Sequence, residues 1–387
     1  MNKAQTHPEI REAVRKLCTR FPGPYWRALD RERAYPTEFV KALTDAGWLS
    51  ILIPEEYGGA GLGISAACAV LEEIHRSGCN GAACHAQMYT MGTLLRHGSD
   101  AQKQKYLPKI ASGELRLQAF GVTEPTSGTD TTRIQTFAKR QGDRYVVNGS
   151  KIWISRAEHS DLMVLLCRTS PRDDAGKISD GMSVLLVDMR EAKGKGLTIK
   201  PVRTMLNHAT TELFFDNLEV PAENLLGELN RGVKVLMSGL DYERIVACAG
   251  SLGIMQAALD LALPYTRERK QFGQPIAEFQ LVQAMLADSR AELYAARCMV
   301  LDAARQRDEG KPIATEAACC KLFASEACGR IADRAVQIFG GAGYVADSGI
   351  ERFYRDVRLF RIYEGTTQIQ QIVIARQMVR ELQMGLA

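Results

Sequence analysis

The sequence has no CxxC pair and no HExxH. Its ten cysteines, at 18, 68, 79, 84, 167, 248, 298, 319, 320 and 328, are scattered, as are its six histidines at 7, 75, 85, 97, 159 and 208. That spacing excludes a zinc framework and a dense disulfide scaffold, so reduced, mostly buried thiols and no metal site are expected. There is no GxGxxG, and the glycine-rich QIFGGAGY at residues 337–344 has neither a preceding strand nor a following Walker lysine. A Rossmann site and a phosphate-cradling P-loop are thereby excluded. There is also no basic block: Lys and Arg are interspersed with Asp and Glu, and the formal net charge is +4. A nucleic-acid track is not expected, whereas a small anionic ligand would suit this balance. No apolar run reaches the ~18 residues of a membrane span, and the opening MNKAQTHPEIREAVRKL carries acidic residues and no apolar core. Secretion, organelle transit and a membrane span are not expected, and the cytoplasm is the expected compartment.

What is present is a soluble-type composition, 46% hydrophobic and 24% charged over 387 residues, long enough for two or three domains. Up to about residue 115 the apolar residues recur at helical spacing. In PTEFVKALTDAGW they are Phe39, Val40, Leu43 and Ala46, with Pro36 at the start and Gly47 as the stop. From residue 116 the period shortens to that of strands. RYVVNGSKIWIS, with Asn148-Gly149 between β-rich arms, reads as a hairpin, and DLMVLLCRT, MSVLLVDM, LTIKPV and TELFFDNLEVP read as further strands. From 231 onward four long, Ala-rich amphipathic patterns predict a four-helix bundle. The expected organisation is an α+β multidomain chain: an N-terminal α-helical domain over 1–115, a central β-sheet or barrel domain over 116–226, and a C-terminal four-helix bundle over 227–387.

Several short stretches bear on chemistry. GVTEPTSGTD, residues 121–130, is an open polar turn whose backbone donors suit a phosphate or a flavin edge, or else simply a surface loop. Trp153-Ile154-Ser155 ends a strand with an aromatic ring beside a hydroxyl, which suits either a core edge or stacking on an isoalloxazine. RERKQFGQPIAEFQ, residues 267–280, breaks a long helix at Phe272-Gly273 and restarts it after Pro275. It is either a plain connection or a place where Arg269 reaches a pyrophosphate. RIYEGTTQIQ, residues 361–370, sets Glu364 before a glycine at a helix entrance. Thr367 and Gln370 read there as a capping box.

Taken in order, LIPEEYGGAGLG, GVTEPTSGTD, KIWIS, ERKQFGQ, QIFGGAGYVADSGIERFYRD and RIYEGTTQIQ resemble the successive motifs of the acyl-CoA dehydrogenase family, over almost the whole chain. The resemblance implies FAD held between the β-domain and the bundle. It also implies an acyl-CoA substrate, an electron-transferring flavoprotein as acceptor, and a homotetramer whose flavin sites are completed across subunits. Carried over by position, Val122, Thr123 and Thr129 resemble flavin or pyrophosphate contacts, with Thr129 also near the substrate, and Trp153 and Ser155 lie against the ring. Arg269, Phe272, Gln280, Gln337, Gly340 and Gly341 resemble contacts to the adenine dinucleotide across the dimer interface, and Thr366 and Gln368 contacts to the local FAD. Asp241 and Arg244 resemble the pair on the CoA side of the cleft. This chain departs from the pattern at Arg156, where Asn is common, at Arg133, where a small residue is typical, and in MLNHATTE, which replaces a Gly-x-Arg-x-Ser run.

The implied reaction takes the α-hydrogen of the thioester as a proton and the β-hydrogen as hydride, leaving a trans-2-enoyl-CoA. Glu364 matches the family's base, and Gly365 leaves room for the thioester against the backbone. Glu243, in LDYERIV, is a second candidate: Leu236, Leu240, Ala247 and Gly250 share its helical stripe, and the base of the isovaleryl-type and long-chain branches resembles its position. The expectation is Glu364 as base and Glu243 as a pocket-lining or auxiliary acid. Competing readings are an acyl-CoA oxidase or flavin-dependent desulfinase on the same scaffold, and a non-catalytic acyl-CoA or flavin-binding protein.

Overall fold

The computed structural model describes residues 6–172, 176–177 and 179–384. Six helices come first: α1 Pro8–Cys18, α2 Gly23–Glu32, α3 Thr37–Asp45, α4 Ile64–Arg76, α5 Ala82–His97 and α6 Asp100–Ser112. Strands follow, β1 Leu117–Gly121, β2 Phe137–Gln141, β3 Arg144–Ser155, β4 Leu162–Arg168 and β5 Met182–Asp188. The short helix α7 Met189–Ala192 precedes β6 Leu197–Pro201, β7 Thr210–Pro221 and β8 Leu225–Leu226. The long helix α8 Gly232–Glu268 leads through a small hairpin, β9 Lys270–Gln271 and β10 Gln274–Pro275, into α9 Gln280–Asp308. Helices α10 Ala314–Phe339, α11 Ile350–Arg358 and α12 Thr367–Gln383 complete the chain. The expected helix, strand, helix order is the observed one.

The chain folds as two compact units, one of residues 32–62 and 82–240, the other of residues 1–31, 63–81 and 241–387. The first unit is built on an eight-stranded sheet in the order β6-β7-β3-β2-β4-β5-β8, with β1 paired in parallel to β4. Strands β4 and β5 are buried along almost their whole length, which is why they read as unbroken apolar runs. Met163, Leu165 and Cys167 of β4 enter one core with Tyr145, Leu213 and Phe215. The alternate residues Leu162, Val164 and Leu166 enter another with Met91 and Leu94 of α5 and Leu107 and Ile110 of α6. Each such Leu or Val stabilises the fold by about 1.5–3 kcal/mol. Ser99 starts α6 with a capping box: its hydroxyl accepts from Gln102 N at 3.2 Å while Gln102 Oε1 accepts from Ser99 N at 2.9 Å.

One local expectation is corrected here. Asn148-Gly149 is not a hairpin turn; β3 runs straight through it, and the β2–β3 turn lies at Gly142-Asp143. The pair forms a bulge, with the register against β7 slipping between Val147 and Gly149. Gly149 has φ 141, and a Cβ there would sit 2.7 Å from Thr136 Cα, so close backbone approach, not chain reversal, is what the glycine serves.

In the second unit α10 packs against α9, α11 and α12, and α4 packs against α1 and α9. Buried carboxylates lock that packing: Glu72 of α4 meets Arg11 of α1 at 2.8 Å and Arg297 of α9 at 2.7 Å. The most apolar 18-residue window of α8 is 78% buried, so its hydrophobicity is that of a core helix.

Candidate active site

In the sheet unit the predicted residues gather at the end of β3. Trp153 has φ 62 and interrupts the β3–β7 register between Lys151 and Ile154, which turns its ring outward, 56% exposed. Ile152 N donates to Thr123 O at 2.9 Å, which sets Val122 and Thr123 beside β3 just before Trp153; Ser155 ends β3 half-buried, and Thr129 is exposed in the loop after β1. The loop is fastened from beneath by a fully buried ion pair that the sequence reading did not single out. Lys151 Nζ donates to Glu124 Oε1 and to Val122 O, both at 2.8 Å, and Glu124 also accepts from Gln135 N at 2.6 Å and Thr136 N at 2.9 Å. Burial pushes the Glu124 carboxyl up, but the Lys151 charge and these hydrogen bonds outweigh it and hold it below the usual range.

In the helical unit the remaining candidates form two groups. Arg269 and Phe272 sit on the β9–β10 hairpin, Gln280 opens α9, and Gln337, Gly340 and Gly341 end α10; all are exposed. Tyr265 near the end of α8 stacks on Phe339 at a centroid distance of 4.2 Å, which brings the hairpin and the glycines to one end of the bundle. Phe272 is 95% exposed, and a Cβ at Gly340 or Gly341 would meet no heavy atom within 4 Å, so a planar ligand and a phosphate have room. An exposed indole with hydroxyls beside it, and a cation, an aromatic ring and open glycines elsewhere, are what the ring and the dinucleotide of FAD require. The residues fit that group.

The second group surrounds Glu364. The segment from Leu359 to Arg361 is a turn of 3₁₀ helix, after which Glu364 takes φ 56 and Gly365 φ 85. A left-handed non-glycine residue costs on the order of 1–2 kcal/mol and persists only where its surroundings impose it. Gln370 Nε2 donates to the carbonyls of both Glu364 and Gly365 at 3.1 Å, and Arg244 Nε to that of Glu364 at 3.4 Å. The expected capping box is therefore corrected. The cap is Thr366, whose hydroxyl accepts from Ile369 N at 3.3 Å. Thr367 instead donates to Glu326 Oε1 at 2.7 Å, and Gln370 faces the turn, because the left-handed pair presents its carbonyls there. Gln368 is exposed. Glu364 is half-buried, with Oε2 shielded from solvent. Burial pushes its carboxyl up to about 7, and the Lys321 and Arg244 charges pull the other way without cancelling the rise.

Arg244 Nη1 also meets Asp241 Oδ1 at 3.4 Å, so the expected pair stands together. Burial raises the Asp241 carboxyl, opposed by Arg244 and Arg307. Glu243 is 6% exposed on α8, as its stripe predicts. Lys321, buried on α10, was missed. Its signal is a single charge at helical spacing among Ala317, Ala318, Ala324, Ser325 and Cys328.

A Cβ at Gly365 would lie 2.6 Å from Gln370 Nε2, at a φ that L side chains avoid. Gly365→Ala is expected to cost about 1–2 kcal/mol of stability and to slow turnover by displacing Gln370 from both carbonyls. Thermal melting with flavin-reduction kinetics checks this, and an unchanged Tm would show that the turn admits a side chain.

The class defined by this fold and site is a helical and β-sheet flavoprotein with an acid of raised pKa at the entrance of its last helix. Comparison with known proteins gives the family. The N-terminal, middle and C-terminal domain models of acyl-CoA dehydrogenase match residues 4–114, 119–218 and 230–379. The chain is 39% identical over 376 residues to the probable acyl-CoA dehydrogenase YngJ of Bacillus subtilis, covering 96% of this chain and 97% of that protein. It is 38% identical over 382 residues to the mitochondrial isovaleryl-CoA dehydrogenase of Oryza sativa, covering 97% and 92%. The solved butyryl-CoA dehydrogenase of Megasphaera elsdenii superposes with a TM-score of 0.88 at 33% identity, covering 98% of this chain and 100% of that one. The chain belongs to the acyl-CoA dehydrogenase family; it is an FAD-dependent oxidoreductase acting on acyl-CoA.

Proposed function

We propose that the chain converts an acyl-CoA thioester to its trans-2-enoyl-CoA with Glu364 as base, and passes the electrons to an electron-transferring flavoprotein. The observation that carries this is the raised, solvent-shielded carboxyl of Glu364 in a turn held from three helices. An α-C–H is a far weaker acid than a free carboxylic acid, so a base lifted to about 7 narrows the gap. Entry of the acyl chain expels more water and lifts it further. Bound FAD supplies the hydride acceptor. The backbone N–H of Glu364 polarises the thioester oxygen, a device that contributes a few kcal/mol per donor, and Gly365 keeps that approach clear. Arg244 and Asp241 face the CoA side, with Thr129 near the substrate. Val122, Thr123, Trp153 and Ser155 serve the flavin ring, Thr366 and Gln368 the local FAD, and Arg269, Phe272, Gln280, Gln337, Gly340 and Gly341 the dinucleotide of a neighbouring subunit.

The nearly bare ring of Phe272, with Leu281 78% and Tyr344 88% exposed, supports the homotetramer. The three domains are taken as residues 1–115, 116–226 and 227–387, in the cytoplasm. Isovaleryl and butyryl relatives differ in the acyl group, so the test is a panel. Anaerobic titration of the purified holoenzyme with straight and branched acyl-CoAs is expected to bleach the flavin band with at least one of them. A protein that shows no flavin band after added FAD, or that no acyl-CoA bleaches, overturns the proposal; rapid reoxidation by oxygen would mark an oxidase instead.

A further inference from the structure

Lys321 is 2% exposed, on a stripe of α10 whose other members are small and buried. A lysine is buried at high cost unless its ammonium finds partners. Here Nζ donates to the carbonyl of Phe360, and to that of Gly365 at 3.0 Å. Those carbonyls lie at the two ends of one short stretch, and Glu364 lies between them. One side chain thus ties the 3₁₀ turn to the left-handed pair that follows it. Gln370 of α12 and Arg244 of α8 hold the same pair from other sides, but neither reaches Phe360 in the hydrogen bonds of the described residues.

We propose that Lys321 is a positioning residue: its ammonium clamps the Phe360 and Gly365 carbonyls and so holds the Glu364 turn in the conformation the reaction uses. This rests on the reading of Glu364 as base. Sequence position explains why a long side chain is used: the buried stripe of α10 around it is Ala, Ser and Cys, so the donor must bridge from the helix to the turn. The clamp also brings a positive charge to the carboxylate. The charged and titratable groups that act on Glu364 are Lys321 on α10 and Arg244 on α8, with the Cys248 thiol of α8 also facing it; Arg244 in turn meets Asp241, Glu326 of α10 pairs with Arg361 of the turn's own segment, and Gln370 on α12 is neutral. Lys321 and Arg244 are the two that favour the ionised carboxylate.

The test uses the FAD-loaded enzyme, with stopped-flow flavin reduction followed against pH and substrate concentration. Lys321→Met is expected to lower the limiting rate about 10–100-fold, the scale of a displaced catalytic group. The half-saturating substrate concentration should change less than about 3-fold, because no contact to substrate is removed. The acidic limb of the profile should move to higher pH, because a carboxylate that loses a nearby cation ionises later. Lys321→Gln keeps a donor for the carbonyls and loses the charge, so it should recover part of the rate with the limb still displaced. It also carries the test where Lys321→Met fails to load FAD. A limb that stays in place in the FAD-loaded variants overturns the proposal, whether the rate falls or not, since a merely structural loss would not move it. Glu364→Gln separates the two readings. If it retains near wild-type rates, the base assignment fails; if it is inactive while both Lys321 variants behave as wild type, only the positioning role fails.

Discussion

Glu364→Gln is expected to slow flavin reduction by acyl-CoA about 10²–10⁴-fold, the span a general base contributes, with the fold and the flavin content unchanged. The amide has nearly the shape of the carboxyl and leaves the backbone bonds of the turn intact. Gln370 and Lys321 bond main-chain carbonyls there, not the Glu364 side chain. What is lost is the base, together with its charge beside Lys321 and Arg244. Glu243→Gln, measured beside it, should cost less than about 10-fold in an auxiliary role. If the two results are exchanged, the base lies on α8 and the assignment is reversed.

The raised pKa gives the same variant a thermodynamic signature. The Glu364 carboxyl sits at about 7 in the folded protein, above its unfolded value, chiefly through burial. The folded state therefore binds more protons than the unfolded one between the two values. The stability this contributes is present below the unfolded carboxyl pKa and is lost as pH rises through about 7. Glu364→Gln removes that dependence, so above pH ~7 its Tm should equal or exceed that of the wild type, while activity is lost. Wild-type flavin reduction should rise across the same range as the base ionises. A variant both inactive and less stable at pH ~8 would make Glu364 a structural residue.

Much of this was legible in the sequence because long patterns carry it. The change from helical to strand period near residue 116, and its return after 230, gave the element order, since apolar residues repeated often enough to reveal the buried face. The motifs named the candidate site. What the sequence obscured were short-range contests settled by packing. Asn148-Gly149 carries hairpin chemistry, but Thr136, just before the neighbouring strand β2, needs the space, and β3 continues. Thr367 and Gln370 carry capping chemistry, but Glu326 takes the hydroxyl and two strained carbonyls take the amide. Lys151 and Lys321 were overlooked because a single lysine in an apolar stretch has no partner in sequence. Its partners are 27 residues away at Glu124 and 44 away at Gly365.

Lys151→Met is the second large expectation, and it concerns stability and cofactor retention together. Lys151 is fully buried and Glu124 nearly so, so removing the cation leaves a carboxylate inside the sheet unit. Breaking a buried pair in this way costs about 3–5 kcal/mol, which for a domain of this size lowers Tm on the order of 10 °C. The tether to the Val122 carbonyl goes with it, loosening the loop that carries Thr123 and Thr129 beside Trp153, and FAD should be retained less well through purification. The sign with pH follows from Glu124, whose carboxyl is held below its usual range. Its stabilising contribution is present above the unfolded pKa and lost as pH falls through the lower folded value, so the wild type should lose it only in acid. Without Lys151, burial acts against the charge with less to oppose it than the Gln135 and Thr136 N–H groups and Lys151 together provide, and the loss should move to higher pH. The double variant Lys151→Met with Glu124→Gln removes the orphaned charge and should regain part of the stability but not the loop tether. A double-mutant cycle then separates the two contributions: coupling near zero would show that the pair does not act as a unit.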